Sequence, residues 1–318
     1  MTEVAELART GTLVERLLAG DVAALARALS ILEAGGGDAD RLAARLWTHA
    51  GRAGVVAFTG PPGIGKSSLI SAFIAGLRAR GERVAVLAVD PSSPLSGGAL
   101  LGDRTRMSAH VSDDGVFIRS IASRGQPGGV ALALPAMLDA VEAAGWPTVI
   151  LEPVGAGQSE TEIAEFADVK VVMAAPGLGD DVQALKAGLL EIADILVVNK
   201  SDLPLADRAA QQLKSMLRLR KKECSGVPVI STSVKEETGI DRLDQAIKFC
   251  LDRARNEAPE IRVARRLGGL LRRRAEAAFR ARLAELPDDA LDGLGAEVRT
   301  GALSLIEAER RLMELAVG

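Results

Sequence analysis

Apolar residues recur three and four apart through residues 3–50, at Leu7, Leu13, Leu17, Leu18, Leu25, Leu29 and Leu32. That is the period of amphipathic helices. The run Gly35-Gly36-Gly37 predicts a break into two helical parts. From about residue 54 short β-rich runs alternate with helical segments, at 55–59, 83–89, 116–119, 148–151, 170–174, 195–199 and 227–231. Several are almost wholly apolar, as strands buried on both faces should be. The alternation predicts an α/β fold with a mostly parallel sheet covered by helices. After Gly239 the chain reads as helical to its end.

Composition narrows the function classes. The chain has 318 residues, 25% charged and 48% hydrophobic, and 39 Lys and Arg against 42 Asp and Glu leave a net charge of −3. Nucleic-acid binding by bulk charge is disfavoured, and disorder or a collagen-like structure is excluded. The strong charge bias lies in 253–283, with ten Arg against three Glu. Phe279 is the lone aromatic there, so nothing interleaves to stack bases. The segment reads as a solvated helix whose arginines pair with acids and cover apolar surface, or as a protein interface. Leu267, Leu270, Leu271 and Ala278 give it one apolar face.

The first 20 residues mix acids and bases without a continuous apolar core, and the apolar runs further along are too short to cross a bilayer. The expectation is a soluble cytoplasmic protein with no membrane or nucleic-acid partner. Cys224 and Cys250 are too few for a disulfide framework or a Cys-based zinc site and read as reduced thiols. His49 and His110 share no metal-binding spacing and read as surface or loop residues.

Gly60-Pro61-Pro62-Gly63-Ile64-Gly65-Lys66-Ser67 is a complete G-x-x-x-x-G-K-S between a predicted strand and a helical stretch at 68–80. Its glycines let backbone N–H groups turn inward around phosphates. Lys66 supplies positive charge to the β- and γ-phosphates, and the Ser67 hydroxyl suits Mg²⁺. The helix N-terminus adds a favourable dipole. Gly60, Gly63, Ile64, Gly65, Lys66, Ser67 and Ser68 are therefore the expected phosphate-binding residues of a nucleoside triphosphate site.

The strand at 195–199 runs into Asn199-Lys200-Ser201-Asp202, an N-K-x-D about 130 residues after the phosphate loop. A carboxylate at Asp202 accepts from guanine N1–H and the N2 amino group, whereas adenine N1 would present a second acceptor. A polar mismatch of that kind costs selectivity factors of about 10⁴. Asn199 would tie this loop to the phosphate loop, and the Lys200 stem would lie on the base. The alternative is an ordinary turn with Asp202 capping the next helix; two motifs in the proper order favour guanine. Ser231-Thr232-Ser233, after the next strand, is a further candidate for base contacts.

Mg²⁺ takes oxygen ligands and keeps several waters. Asp90 and Glu152 fall at the carboxyl ends of predicted strands, where open parallel sheets bind ligands. Asp103 lies in the following loop, Leu101-Gly102-Asp103-Arg104-Thr105-Arg106. Each has the alternative of a helix cap or salt bridge, strongest for Asp103, which has Arg104 and Arg106 beside it.

The stretches Val89-Asp-Pro-Ser-Ser-Pro-Leu-Ser-Gly-Gly-Ala-Leu-Leu-Gly-Asp-Arg-Thr-Arg-Met107, Leu151-Glu-Pro-Val-Gly-Ala-Gly-Gln-Ser-Glu160, Ala175-Pro-Gly-Leu-Gly-Asp180 and Asn199-Lys-Ser-Asp202 together resemble the MeaB/ArgK/MMAA family. These are G-protein metallochaperones of adenosylcobalamin-dependent acyl-CoA mutases such as methylmalonyl-CoA mutase. The resemblance spans about residues 50–250, and more loosely the helical ends. It implies a P-loop NTPase with a helical N-terminal extension at 1–50, a G domain at 51–250 and a C-terminal dimerisation arm at 251–318. It also implies a homodimeric GTPase that binds GTP or GDP with Mg²⁺ and gates delivery of adenosylcobalamin to a mutase.

Carried over, the resemblance assigns Lys66 and Ser67 to phosphate and metal, and Asp90, Asp103 and Glu152 to the magnesium shell. Gly155, Gly157 and Gln158 fall in a second switch. Asp180, Asp181, Gln183 and Lys186, within 177–186, fall in a third switch that senses the mutase. The family usually has Glu-Thr where this chain has Glu152-Pro153; proline removes an N–H and fixes φ, which stiffens the switch.

Hydrolysis would be in-line attack of water on the γ-phosphate, driven by positioning and charge neutralisation, with Lys66, Asp90 and Gln158 as the catalytic candidates. Gln158 either orients that water or stabilises its loop. The competing enzyme reading is a P-loop kinase acting on a transport protein or small molecule. A nickel-insertion factor would need His or Cys clusters, and a signal-recognition factor a Met-rich domain; the chain has six Met.

Overall fold

The seven apolar runs form seven strands: β1 (Gly54–Thr59), β2 (Val84–Asp90), β3 (Val116–Ala122), β4 (Thr148–Pro153), β5 (Val169–Ala174), β6 (Ile195–Val198) and β7 (Val229–Ser231). The structure, a computed structural model, describes residues 2–90, 107–122, 129–153, 158–176, 187–218 and 226–317. Every ladder is parallel, in the order β3-β2-β4-β1-β5-β6-β7. The expected α/β fold is present. β1 lies between β4 and β5, which brings the carboxyl ends of three strands to one edge.

The two faces of β1 explain its unbroken apolar sequence. Val55 and Ala57 enter one core with Ala85, Leu87, Val149 and Leu151, while Val56 and Phe58 enter the other with Val84, Val86, Ile150 and Val171. Fully burying side chains of this size contributes about 1.5–3 kcal/mol each, so the sheet is a firm platform. α1 (Thr2–Leu18), α2 (Val22–Ala34) and α3 (Gly36–Leu46) cover the first face. α4 (Lys66–Ala79) covers the second. α5 (Gly129–Ala143) and α6 (Gln158–Ala164) join α1–α3, and α7 (Ala187–Ile192) and α8 (Ala206–Arg218) pack on β5 and β6. α9 (Ile240–Arg255) packs beside α4 through Leu243, Ile247 and Leu251.

The N-terminal segment differs from its expected two parts. It has a further break at Gly20 (φ 82°), after which Asp21 caps α2 by accepting from Ala23 N at 2.8 Å and Ala24 N at 3.0 Å. Asp21 was an inconspicuous polar residue in an apolar period, yet its short side chain serves as the helix stop and start. Of the three glycines, Gly35 makes the break and α3 begins at Gly36. β3 runs to Ala122, three residues beyond the expected end at Arg119: Ile121 is buried in the core, and on this edge strand Arg119 pairs with Glu33 at 2.9 Å. His110 is buried, not a surface residue: its ring Nε2 lies 2.9 Å from Ser71 Oγ and 3.1 Å from Ser71 O. Cys250 is a free thiol whose pKa burial raises, and Cys224 lies outside the described residues.

The chain divides into two compact units, Met1–Arg266 and Leu267–Gly318. The division falls within α10 (Pro259–Glu285). The second unit continues with α11 (Asp288–Thr300), ended by Gly301 at φ 76°, and α12 (Leu305–Val317). Ser304 and Glu307 form a capping box before α12: Ser304 N donates to Glu307 Oε2 at 2.9 Å and Glu307 N to Ser304 Oγ at 3.2 Å. Among the described residues of this unit, Leu271, Leu305, Ile306, Met313 and Leu315 are exposed. No helix of the described residues is long and apolar enough to cross a membrane.

Candidate nucleotide site

β1 ends at Thr59 and α4 begins at Lys66, so the glycine-rich segment is the turn joining a central strand to its helix. Two glycines are demanded by close approach as well as by conformation. A Cβ on Gly60 (φ 146°) would stand 2.4 Å from Met173 O, and one on Gly65 (φ 90°) would stand 2.8 Å from Asn199 Nδ2. Lys66, itself buried, donates from Nζ to Gly60 O at 2.6 Å and to Pro61 O at 3.1 Å. Its ammonium is thereby held over the loop whose backbone would wrap a phosphate. Ser68 is exposed on the first turn of α4.

Sheet order brings Glu152, at the carboxyl end of β4, beside the helix that follows β1. Ser67 Oγ donates to Glu152 Oε1 at 2.7 Å, and both residues are buried. Pro153 closes the same strand in register with Val89 of β2. Asp90 is the last residue of β2, on the same edge. The side chains of Asp90 and Gln158 lie outside the described residues, as do Asp103, Gly155, Gly157, Asp180, Asp181, Gln183 and Lys186.

Asn199 follows β6 and is 2% exposed. Its Nδ2 donates to Ile64 O at 2.8 Å and its Oδ1 accepts from Thr232 Oγ1 at 3.1 Å. Lys200, at φ 56°, donates from Nζ to Gly63 O at 2.8 Å. Asp202 Oδ1 accepts from Ser233 Oγ at 2.7 Å, and this bond holds the carboxyl below its ordinary pKa, with Lys235 and Lys200 assisting. Asp202 is therefore an ionised acceptor at neutral pH. Ser201 N donates to Thr232 O at 2.9 Å, which locks the two loops backbone to backbone.

The structure thus gathers 60–68, Glu152, 199–202 and 231–233 at one edge of the sheet. It adds residues the motifs did not point to. Lys235 Nζ lies 3.8 Å from Asp202 Oδ2, and a Cβ on Gly239 would stand 2.0 Å from Ser231 O. Lys235 carried only a weak signal, its place two residues after the Ser-Thr-Ser cluster.

A strand–turn–helix phosphate cradle, tied by side chains to an N-K-x-D loop, is the geometry of a guanine-nucleotide site. The family model for methylmalonyl-CoA mutase-associated GTPase MeaB matches residues 25–282. The chain belongs to the MeaB family. It is a P-loop GTP hydrolase, as MeaB proteins are. A putative GTPase of Pyrococcus horikoshii is 43% identical over 240 residues, 74% of this chain and 76% of that protein. The Escherichia coli GTPase ArgK is 38% identical over 244 residues, 74% of this chain and 73% of ArgK. Among solved structures, an LAO/AO transport system kinase matches this MeaB-family chain with TM-score 0.75 and 26% identity, covering 100% of this chain and 99% of that one.

Proposed function

We propose that this MeaB-family GTPase binds GTP with Mg²⁺ at the edge formed by β1, β4 and β6, and uses its cycle to gate adenosylcobalamin loading, protection and reactivation of an acyl-CoA mutase. One observation carries the nucleotide part. Asn199 and Lys200 bond to the carbonyls of Ile64 and Gly63, so the loop that reads the base and the loop that wraps the phosphates are one cradle. The family description, which names methylmalonyl-CoA mutase, supports the client.

In this reading Lys66 trades its bonds to Gly60 O and Pro61 O for phosphate oxygens, and Asp202 accepts from guanine N1–H and N2. Ser231, Thr232 and Ser233 brace the base loop. Ser67 Oγ and Glu152 Oε1 are hard oxygen donors within 2.7 Å of each other, a set that fits Mg²⁺. Asp90 and Asp103 would complete the carboxylate shell. The ion, when bound, neutralises phosphate charge. Gln158 orients the attacking water, and Asp180, Asp181, Gln183 and Lys186 couple the site to the mutase. The functional parts are 1–50, 51–250 and 251–318, the last a homodimerisation arm. The exposed Leu271, Leu305, Ile306, Met313 and Leu315 support that role. The protein works in the cytoplasm.

The test is phosphate release from GTP and from ATP, with and without an adenosylcobalamin-dependent acyl-CoA mutase. GTP-selective release that rises with the mutase supports the reading. Turnover of GTP indifferent to any such mutase removes the client and leaves the site. A phosphorylated acceptor in place of free phosphate would mark a kinase instead.

A further inference from the structure

Two arginines of the basic C-terminal segment do not face solvent. Arg262 and Arg266, one turn apart on α10, are 6% and 9% exposed, and both belong to the first unit. Arg262 Nη1 donates to Gly51 O at 2.8 Å and Nη2 to Ala53 O at 2.7 Å, and Nη2 also pairs with Asp168. Arg266 Nη1 donates to Glu142 Oε1 at 2.7 Å. Glu142 Oε2 accepts from Gly51 N and, at 3.0 Å, from Arg52 N; Asp168 Oδ2 accepts from Val55 N at 2.8 Å. The cluster joins the base of α10 to the end of α5 and to the entries of β1 and β5. That is the pole of the sheet opposite the phosphate loop.

Among the described residues the charges do not balance, since three carboxylates meet two guanidiniums. Glu142 and Asp168 each have backbone donors. Asp139 is 1% exposed, and neither of its oxygens has a hydrogen bond; Arg266 Nη1 stands 3.2 Å from Oδ1 without hydrogen-bond alignment. An ionised carboxylate is costly in that position, and a protonated one much less so.

We propose that Asp139, Glu142, Asp168, Arg262 and Arg266 form a proton-operated latch. One proton on Asp139 leaves two carboxylates matched to two arginines and fastens the base of α10 to the sheet. Loss of that proton buries a third negative charge and loosens it. Burial, opposed by Arg266 and assisted by Glu142, pushes Asp139 up to about 7. Burial also raises Asp168, against Arg262. Burial lowers the Arg266 pKa, but Glu142, Asp139 and Asp168 together outweigh it and the pKa is raised. Among the described residues the charges bearing on Asp139 are Arg266 from α10 and Glu142 from its own helix. The other elements packed on α5 supply the apolar core residues Leu25, Leu29, Leu42 and Leu151, and His49, on the neighbouring turn, is exposed.

The sign follows from linkage. The closed latch holds its proton to higher pH than the open one, so stability of the α10 base falls as pH rises from about 4 through about 7 and levels off above. With an ordinary aspartate in the open state, local opening rises about tenfold between pH 6 and pH 8.

The experiment is hydrogen exchange of amides 259–266 in the full chain at pH 6 and pH 8, corrected for intrinsic rates, in the wild type and in Asp139→Asn. The asparagine mimics the protonated acid. The expected result is a wild-type opening that rises about tenfold and a variant that does not respond to pH. An equal pH response in both overturns the proposal. If the variant does not fold, carbon NMR of the Asp139 carboxyl in the wild type decides. A midpoint near neutrality supports the latch, and a midpoint at the ordinary aspartate value overturns it.

Discussion

Asn199 Nδ2 donates to the carbonyl of Ile64 at 2.8 Å, across 135 residues of sequence. The same amide accepts from Thr232 Oγ1 at 3.1 Å, so one buried side chain joins three loops. Asn199→Ala should leave the Ile64 carbonyl and the Thr232 hydroxyl without this partner and cost about 1–3 kcal/mol of stability. Nucleotide affinity should fall by about tenfold or more, since each tenfold is only about 1.4 kcal/mol. Urea unfolding and titration with fluorescent GDP measure the two effects; a variant that binds GDP like wild type contradicts the shared cradle.

In the proposed site Asp202 would present acceptors where guanine presents donors. Asp202→Asn places an amide donor there and should raise the KM for GTP by about 10² or more, while xanthosine triphosphate, with a carbonyl at C2, gains. Competition between the two nucleotides in steady-state hydrolysis is the readout. No change in preference would show that Asp202 does not face the base.

The Ser233 hydroxyl depresses the Asp202 pKa. An acid of lowered pKa contributes above its unfolded value and loses that contribution as pH falls through its folded value. Ser233→Ala should therefore shift the acid limb of GTP binding to higher pH, with binding near pH 7.5 less affected. Affinity profiles between pH 4 and 8 for the two proteins test this, and superimposable acid limbs would refute it.

Gly65 has φ 90°, and its missing side chain leaves room for Asn199 Nδ2. Gly65→Ala adds the left-handed penalty of about 1–2 kcal/mol to a 2.8 Å clash. Both the melting temperature and GTP affinity should drop, affinity more. A variant that loses stability alone would mean that the tie between the loops does not shape the phosphate site.

Ser67 and Glu152 share a hydrogen bond of 2.7 Å. Ser67→Ala should abolish most of the gain in GTP affinity that Mg²⁺ confers. Chelating the metal should weaken GTP binding to the wild type but scarcely alter binding to the variant. Calorimetry with and without chelator separates these cases, and an undiminished metal effect in the variant would count against Ser67 as a ligand.

Much of the molecule was legible along the chain because its signals are short-range. A run such as Val55-Val56-Ala57-Phe58 can satisfy burial on both faces only as a central parallel strand, and its glycine-rich sequel permits only a tight turn into a helix. The N-K-x-D follows a strand for the same local reason. Less visible was the cap at Asp21, one polar residue within an apolar period. The reach of β3 to Ala122 depended on long-range partners, the core that receives Ile121 and Glu33 for Arg119.

The sequence by itself determined the strands, the glycine-rich turn, the N-K-x-D loop and the family. Each is written in hydrophobic period, glycine placement and residue spacing within a dozen positions. Only the tertiary structure decided that Glu152 meets Ser67 and that Asn199 meets Ile64, because both follow from β1 lying between β4 and β5 with β6 beyond. It alone also divided the arginines. Arg262 and Arg266 look like their neighbours in sequence, but buried acids from α5 and the entry of β5 draw them inward. Charge composition is a sum over the chain, whereas the free energy of a charge depends on what lies within a few ångströms of it.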